Sequence, residues 1–399
     1  MELEIRPIED KDDQYEAWTK PMGRTLGFDL SLELPLIRHQ FEIDRALGVF
    51  DKGEIVATIH VFSLDMRVPG NVLPMAGVSH VCVQATHRRR GIMTAMMERV
   101  FQDIRDRGEP ISGLGASESI IYGRFGYGIG THREDWIIAR EHTAFHPPIE
   151  SKGQTRYVET GEMRRVFPEV FERTGADRPG WVRRPDYVWD RIASDFDFRR
   201  DGCSANYYVV YEEDNNADGY VIYRTIGDTL KVEGLMATSR NAYASLWQFC
   251  FGVDLKSSII AENRPVDDPL MWMLADPRRL QRSVEDAKWL RLMNVPVALS
   301  SRCYSQSGSL VIELHDTFCP WNEGCYELAG GPDGAECRRS SKSPDLVMTA
   351  SDLAATYLGG VTFSTLARAG CIEACVPGAL GRADAMFSYH LKPWCPMGW

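Results

Sequence analysis

Where an apolar run meets a helical one, the chain reads Val81-Cys82-Val83-Gln84-Ala85-Thr86-His87-Arg88-Arg89-Arg90-Gly91-Ile92-Met93. A strand that ends in a glycine-bearing turn and opens a helix leaves the first backbone N–H groups of that helix without intrahelical partners. Those donors point outward and the helix dipole reinforces them, so the junction is an anion cradle. Gly91 permits close backbone approach by a pyrophosphate, and Arg88, Arg89 and Arg90 add charge. Arg-x-x-Gly alone occurs often by chance; the weight here lies in the strand before it and the methionine-rich helix after it. A second match, Arg199-Arg200-Asp201-Gly202, runs into a strand and is read as chance.

The elements that would position this cradle follow from periodicity. Residues 2–6 alternate, Asp10 to about Gly27 reads as a helix, and Leu34–Phe41 as a shorter one. Apolar stretches near 46–50, 54–64 and 72–83 are separated by Asp51-Lys52-Gly53 and Pro69-Gly70-Asn71, turn formers that predict an antiparallel meander. From Ile92 the period changes. Met93, Met96, Met97, Val100, Phe101 and Ile104 recur at helical spacing up to the stop signal Arg107-Gly108. A strand (110–114), a short helix (117–123) and an alternating stretch (127–139) follow, then a linker-like segment (141–154).

A second α/β unit spans roughly 155–290. Its run Leu235–Tyr243 echoes the strand-into-helix passage of the first unit without the double arginine and glycine, which predicts the fold without the phosphate site. Beyond 295, strand signals (295–299, 309–314, 325–328, 346–349) precede helical ones (351–358, 363–369, 379–388), an α+β order. The tail Lys392-Pro393-Trp394-Cys395-Pro396-Met397-Gly398-Trp399 is apolar and proline-pinned. Frayed tails are usually polar, so this one is expected to be docked.

Bulk properties narrow the class. The chain has 399 residues, more than one core usually supports, and a formal charge of −11, which argues against nucleic acid and favours cationic partners. No apolar run is long enough to cross a bilayer, and Met1–Asp10 has no leader pattern, so a cytoplasmic location is expected. Of ten cysteines, seven lie beyond residue 300. Without a Cys-x-x-Cys pair or an export signal they read as buried thiols, and no metal is expected; the alternative is zinc on Cys319, Cys325 and Cys337.

The cradle segment resembles motif A of the GNAT superfamily of N-acetyltransferases, departing from it at Ala85 and Met93. Together with Ser117-Glu118-Ser119-Ile120-Ile121-Tyr122-Gly123-Arg124-Phe125-Gly126-Tyr127 it is similar to the Eis (enhanced intracellular survival) acetyltransferase family. The resemblance implies an α+β chain of tandem GNAT domains, the second degenerate, followed by a sterol-carrier-protein-like domain. The implied boundaries are 1–148, 149–292 and 293–399, and a homohexamer is implied as well.

The same resemblance implies acetyl-CoA as donor, held by Val81, Cys82, Val83, Arg89, Arg90, Gly91, Ile92, Met93, Thr94, Ser117 and Glu118. It makes Tyr122 the general acid and the α-carboxylate of Trp399 the general base, with Tyr127 a rival for the tyrosine role. The chemistry needs such a pair, since an amine must lose a proton to attack and a departing thiolate must gain one. Asp29, Glu33 and His80 are the expected acceptor contacts. The implied acceptors are polyamines such as aminoglycosides, at several positions, and protein lysine side chains. No cysteine or serine lies in a nucleophile context, so direct transfer is expected. Other readings are an N-acyltransferase for longer chains, or a lipid-binding scaffold without activity.

Overall fold

The computed structural model describes residues 3–27, 38 and 41–399. The expected helix over Leu34–Phe41, and with it Asp29 and Glu33, lies outside the described residues except at positions 38 and 41. By contact density the described chain divides into two units, one drawn from Met1–Thr131 and Ala287–Trp399, the other from His132–Asp286.

In the first unit, β1 (Glu4–Pro7), β2 (Ala46–Asp51), β3 (Glu54–Val68), β4 (Asn71–Val83) and β5 (Ile111–Leu114) lie side by side in that order. The strand Gln281–Leu292 pairs with the far side of β5, antiparallel, from Trp289 opposite Leu114 to Leu292 opposite Ile111. Turn residues join β2 to β3 and β3 to β4 as an antiparallel meander, whereas β5 is parallel to β4 because the helix Ile92–Asp106 carries the crossover. That helix buries Ile92, Met96, Met97, Val100, Phe101 and Ile104 against Ile59, Val61, Ala76 and Val78 of β3 and β4. Each such side chain stabilises the packing by about 1.5–3 kcal/mol. On the opposite face of the sheet lies the helix Asp12–Leu26, ended by Gly27 in the left-handed region. Its Trp18 is buried, and the indole N–H donates to the Leu47 carbonyl at 2.9 Å.

The C-terminal residues of this unit form a second sheet, in the order Gly334–Arg339, Gly324–Gly331, Gly308–His315, Leu346–Thr349 and Glu373–Ala374. The short helices Ala350–Thr356, Phe363–Arg368 and Ala379–Phe387 accompany it. Val295–Leu299, expected as a strand, is instead a helix (Val295–Ser300). The Asn294 side chain caps it by accepting from the Val297 N–H at 3.3 Å, and Pro296 sits in the first turn, where its missing N–H has no intrahelical acceptor to lose. The strand Gly334–Arg339 was not expected; its glycine and charged residues mask the apolar alternation. Trp394, Cys395 and Met397 of the tail are buried.

In the second unit the strands Ser258–Arg264, Thr229–Ala237, Asn216–Ile226, Tyr207–Glu213 and Gln154–Tyr157 are neighbours in that order. Where Thr229–Ala237 opens into the helix Arg240–Gly252, the Ser239 hydroxyl accepts from the Ala242 N–H at 3.2 Å. The helix entrance is thus closed by the chain's own side chain.

A buried ion pair stitches the first unit together. Arg291 holds both oxygens of Asp316, at 2.7 and 2.6 Å, with both side chains out of solvent, and also donates to the Phe125 carbonyl. Removing one partner leaves a buried charge uncompensated. Arg291→Met is therefore expected to cost about 3–5 kcal/mol, and adding Asp316→Leu to restore part of it. Urea unfolding of the single and double variants measures both.

Candidate active site

β4 pairs with β3 along its length but with β5 only at Met75, Ala76 and Gly77, opposite Ile111, Ser112 and Gly113. Beyond Gly77 the two parallel strands part, and among the described residues the edge of β4 from Val78 to Val83 has no strand on that side. A sheet edge left unpaired inside a fold offers backbone donors and acceptors to an extended guest. The parting coincides with a bulge: between Thr58 opposite Cys82 and His60 opposite Ser79, Ile59 alone faces His80 and Val81. His80 has φ 53°, uncommon for a residue with a side chain. The Thr58 hydroxyl secures it by donating to the His80 carbonyl at 2.9 Å.

The anion cradle follows directly. Gly91 caps the helix Ile92–Asp106 in the left-handed region, φ 76°, and among the described residues no side chain caps the N–H groups of the first turn. A Cβ placed at Gly91 would meet nothing within 4 Å, so the backbone there is open to a ligand. The loop before it is anchored. Gln84 donates from its backbone to Val56 at 3.0 Å and from its amide to Ile55 at 3.1 Å, and His87 Nε2 lies 3.2 Å from the Asp51 carboxylate. Arg88, Arg89 and Arg90 are exposed; among the described residues Arg88 and Arg89 make no ion pair. Thr94, Ser117 and Glu118 are exposed and Met93 half-buried. The Cys82 thiol faces away from the split, bonded to the Pro21 carbonyl at 3.0 Å and Thr25 at 2.9 Å, and burial pushes its pKa up. It is a packed thiol.

Tyr122 ends the short helix Ser119–Tyr122, and the chain turns back through Gly126 at φ 77°. A Cβ at Gly126 would overlap the Arg291 guanidinium, so glycine is required there twice over. Tyr122 is 5% exposed and packs with Phe101 and Tyr127 in the cluster around the helix Ile92–Asp106. Among the described residues its hydroxyl has no hydrogen-bond partner, and burial raises its pKa, which keeps the phenol protonated at neutral pH. Tyr127 differs. It is fully buried and its hydroxyl lies 2.7 Å from Ser112 Oγ, which itself donates to the Ala76 carbonyl at 3.0 Å. The Ser112 proton being spent, Tyr127 must donate, and its proton is committed.

Gly77 and Gly113 point to the sheet face opposite Ser112. A Cβ at Gly77 would lie 3.1 Å from Trp399 Nε1, and one at Gly113 would lie 3.4 Å from Trp399 Cζ2. The last residue thus lies across β4 and β5 where they part. The same face carries a cluster of rings: His60 with Phe62 (4.3 Å between centroids) and Phe41 (4.5 Å), and His80 with Trp18 (5.6 Å) and Phe62 (5.8 Å). His60 is fully buried, and among the described residues neither ring nitrogen makes a hydrogen bond of normal geometry. Burial, then the neighbouring His80 and Arg45, hold its pKa well below 6.5, so it is neutral.

Gly77, Gly113, Ser112, His60, Lys288 and Arg291 were not singled out by the sequence. The glycines carried a readable signal, since glycine inside a strand marks close approach by another group. Among the described residues no three His, Cys, Asp or Glu side chains gather as a metal site; Cys319 lies in the core beside the helix Ile92–Asp106, while Cys325 and Cys337 sit on adjacent strands of the C-terminal sheet. No helix among the described residues is long and apolar enough to cross a membrane.

Comparison with known proteins places this geometry. Residues 4–130 match an acetyltransferase (GNAT) domain, 180–292 a second acetyltransferase (GNAT) domain, and 295–396 a sterol carrier protein domain. An uncharacterized N-acetyltransferase of Streptomyces avermitilis is 40% identical across the whole of both chains. N-acetyltransferase Eis of Mycobacterium tuberculosis is 34% identical over 354 residues, 86% of this chain and 85% of that one. The crystal structure of Eis1 from Mycobacterium abscessus matches with a TM-score of 0.87 at 32% identity, covering 99% of this chain and 100% of that one. The expected architecture, two acetyltransferase units and a sterol-carrier-like domain, is met.

The buried neutral His60 has a measurable consequence. Because its folded pKa is depressed, the unfolded chain takes up the proton first as pH falls. The stability it lends is present above about pH 6.5 and is lost below that at about 1.4 kcal/mol per pH unit. Unfolding free energies at pH 7 and 5.5 should converge in His60→Leu relative to the parent; an unchanged pH dependence would contradict the assignment.

Proposed function

The chain belongs to the Eis family of GNAT N-acetyltransferases, and on that footing we propose that it moves an acetyl group from acetyl-CoA directly to amines of polycationic acceptors, aminoglycosides at several positions and lysine side chains among them. The observation that carries this reading is the parting of β4 from β5. It leaves an unpaired strand edge leading to an open helix N-terminus, with Tyr122 on one face of the sheet and Trp399 on the other.

Acetyl-CoA, when bound, supplies the thioester from which the acetyl group departs. The residues present fit it. The open backbone at Gly91, with Ile92, Met93 and Thr94, receives the pyrophosphate, and Arg89 and Arg90 add charge. Val81, Cys82 and Val83 offer backbone groups along the split, and Ser117 and Glu118 border it. A free N–H of the bulged β4 is the donor for charge developing on the carbonyl oxygen. On the acceptor side the α-carboxylate of Trp399 takes the ammonium proton, the nitrogen attacks, and Tyr122 protonates the departing thiolate. His80 faces the acceptor beside the partly exposed ring of Phe41, and an aromatic face attracts cations. Asp29 and Glu33 complete this reading of acceptor recognition. The packed thiol of Cys82 supports direct transfer over a covalent intermediate.

Release of free thiol from acetyl-CoA against a panel of aminoglycosides and lysine peptides, with longer acyl-CoAs as competitors, tests the proposal. Turnover with a polycationic amine and preference for the acetyl donor are expected; thiol release with none of them would overturn it. Tyr122→Phe should lower kcat by about 10²-fold with the fold intact, the scale of one proton-transfer group. A chain extended by one residue beyond Trp399 should fold and be nearly inactive; full activity would remove Trp399 from the mechanism.

A further inference from the structure

The strand Gln281–Leu292 ends beside β5, and its side chains alternate. Trp289 joins the cluster around the helix Ile92–Asp106. Leu290 faces the other way, against the positions a side chain would occupy at Gly113 and Gly130. Lys288 shares that second face, as the period of two requires. It is a lysine with 8% exposure, and its backbone N–H donates to Thr131 Oγ1 at 3.0 Å, which sets it in register. Its ammonium lies 3.7 Å from the centroid of the Trp399 indole. A buried ammonium needs compensation, and the electron-rich face of an indole is the best aromatic surface for it.

The ring is held on three sides. One edge, Nε1 and Cδ1, abuts Gly77 at 3.1 and 3.2 Å from where a Cβ would be; the other, Cζ2, abuts Gly113 at 3.4 Å; Lys288 covers a face. The indole N–H is buried and has no hydrogen-bond partner among the described residues, so no hydrogen bond from the ring orients it. Among the described residues, the two missing side chains and the one cation are in place to set its orientation. We propose that Lys288 is a positioning residue for acetyl transfer: its ammonium locks the Trp399 indole across β4 and β5 and so places the chain's last backbone atoms at the split. This rests on the reading of the Trp399 carboxylate as base. A phenylalanine at position 399 would present a smaller ring and a weaker face to the cation.

The test is steady-state kinetics on the full chain with acetyl-CoA and the best acceptor amine found. Lys288→Met is expected to lower kcat by about tenfold while KM for acetyl-CoA stays within about twofold, since the cradle at Gly91 is untouched. Lys288→Arg should restore most of the loss, because a guanidinium also stacks on an indole. In a Trp399→Phe background the loss caused by Lys288→Met should shrink, the coupling expected of two groups in contact. Lys288→Gln, neutral but polar, replaces Lys288→Met if the latter does not fold. Unchanged kcat in the neutral variant, or an Arg variant as slow as the neutral one, would overturn the proposal. The extended chain keeps the two ideas apart: full activity there would overturn the carboxylate reading, whereas an inactive extended chain beside an unimpaired Lys288→Met would overturn the lock alone.

Discussion

The buried pair of Arg291 and Asp316 is the constraint on which the site depends. A guanidinium taken wholly out of water must find partners for its charge, and this one finds them through its two Nη atoms, on a carboxylate and a carbonyl of two other segments. Its carboxylate lies on the loop after the strand Gly308–His315, where it also accepts from the Cys319 N–H at 2.9 Å. Its carbonyl belongs to Phe125, three residues past Tyr122. Its own strand is the one that carries Lys288 and pairs with β5. None of these can shift without stranding a charge. The Tyr122 turn, the sheet edge and the C-terminal sheet are therefore set as one object.

That coupling is reinforced by shape. A Cβ at Gly128 would overlap the backbone of Ser351, and the Ser351 hydroxyl donates to the Tyr127 carbonyl at 2.9 Å. The hairpin turn between β3 and β4 docks likewise, with the Cys303 N–H donating to Pro69 at 2.8 Å. The C-terminal residues are thus packed into the acetyltransferase unit on several sides. Delivery of Trp399 to the split follows from this packing and does not ask a loose tail to find its place.

The anion cradle and the elements around it were legible because they rest on local rules. Periodicity marked the meander and the helix Ile92–Asp106, and Gly91 after three arginines marked the helix entrance. The parting of β4 from β5 was not legible, because it depends on which strand neighbours β5, a long-range pairing with Gln281–Leu292 that no local pattern announces. The bulge at His80 was invisible for a similar reason, since one extra residue in a strand leaves the alternation readable on both sides of it. The helix Val295–Ser300 was misread because a short apolar run with valines looks like a strand, and the cap from Asn294 weighed more. Residue types alone did not rank Tyr122 and Tyr127, which only the resemblance separated; in the structure Ser112 engages the Tyr127 hydroxyl and not that of Tyr122. Asp29 and Glu33 stay where the sequence left them.

An unpaired strand edge is ordinarily a hazard, because any other chain with exposed backbone groups can add to it, and folds blunt such edges with lysines, prolines or bulges. The free edge of β4 lies inside a sheet, between β3 and β5, with Tyr122 on one face and Trp399 on the other. A second polypeptide adding here would bring side chains to both faces, where Tyr122 and Trp399 already stand. The edge is thus guarded by the residues on its two faces rather than by a strand beside it.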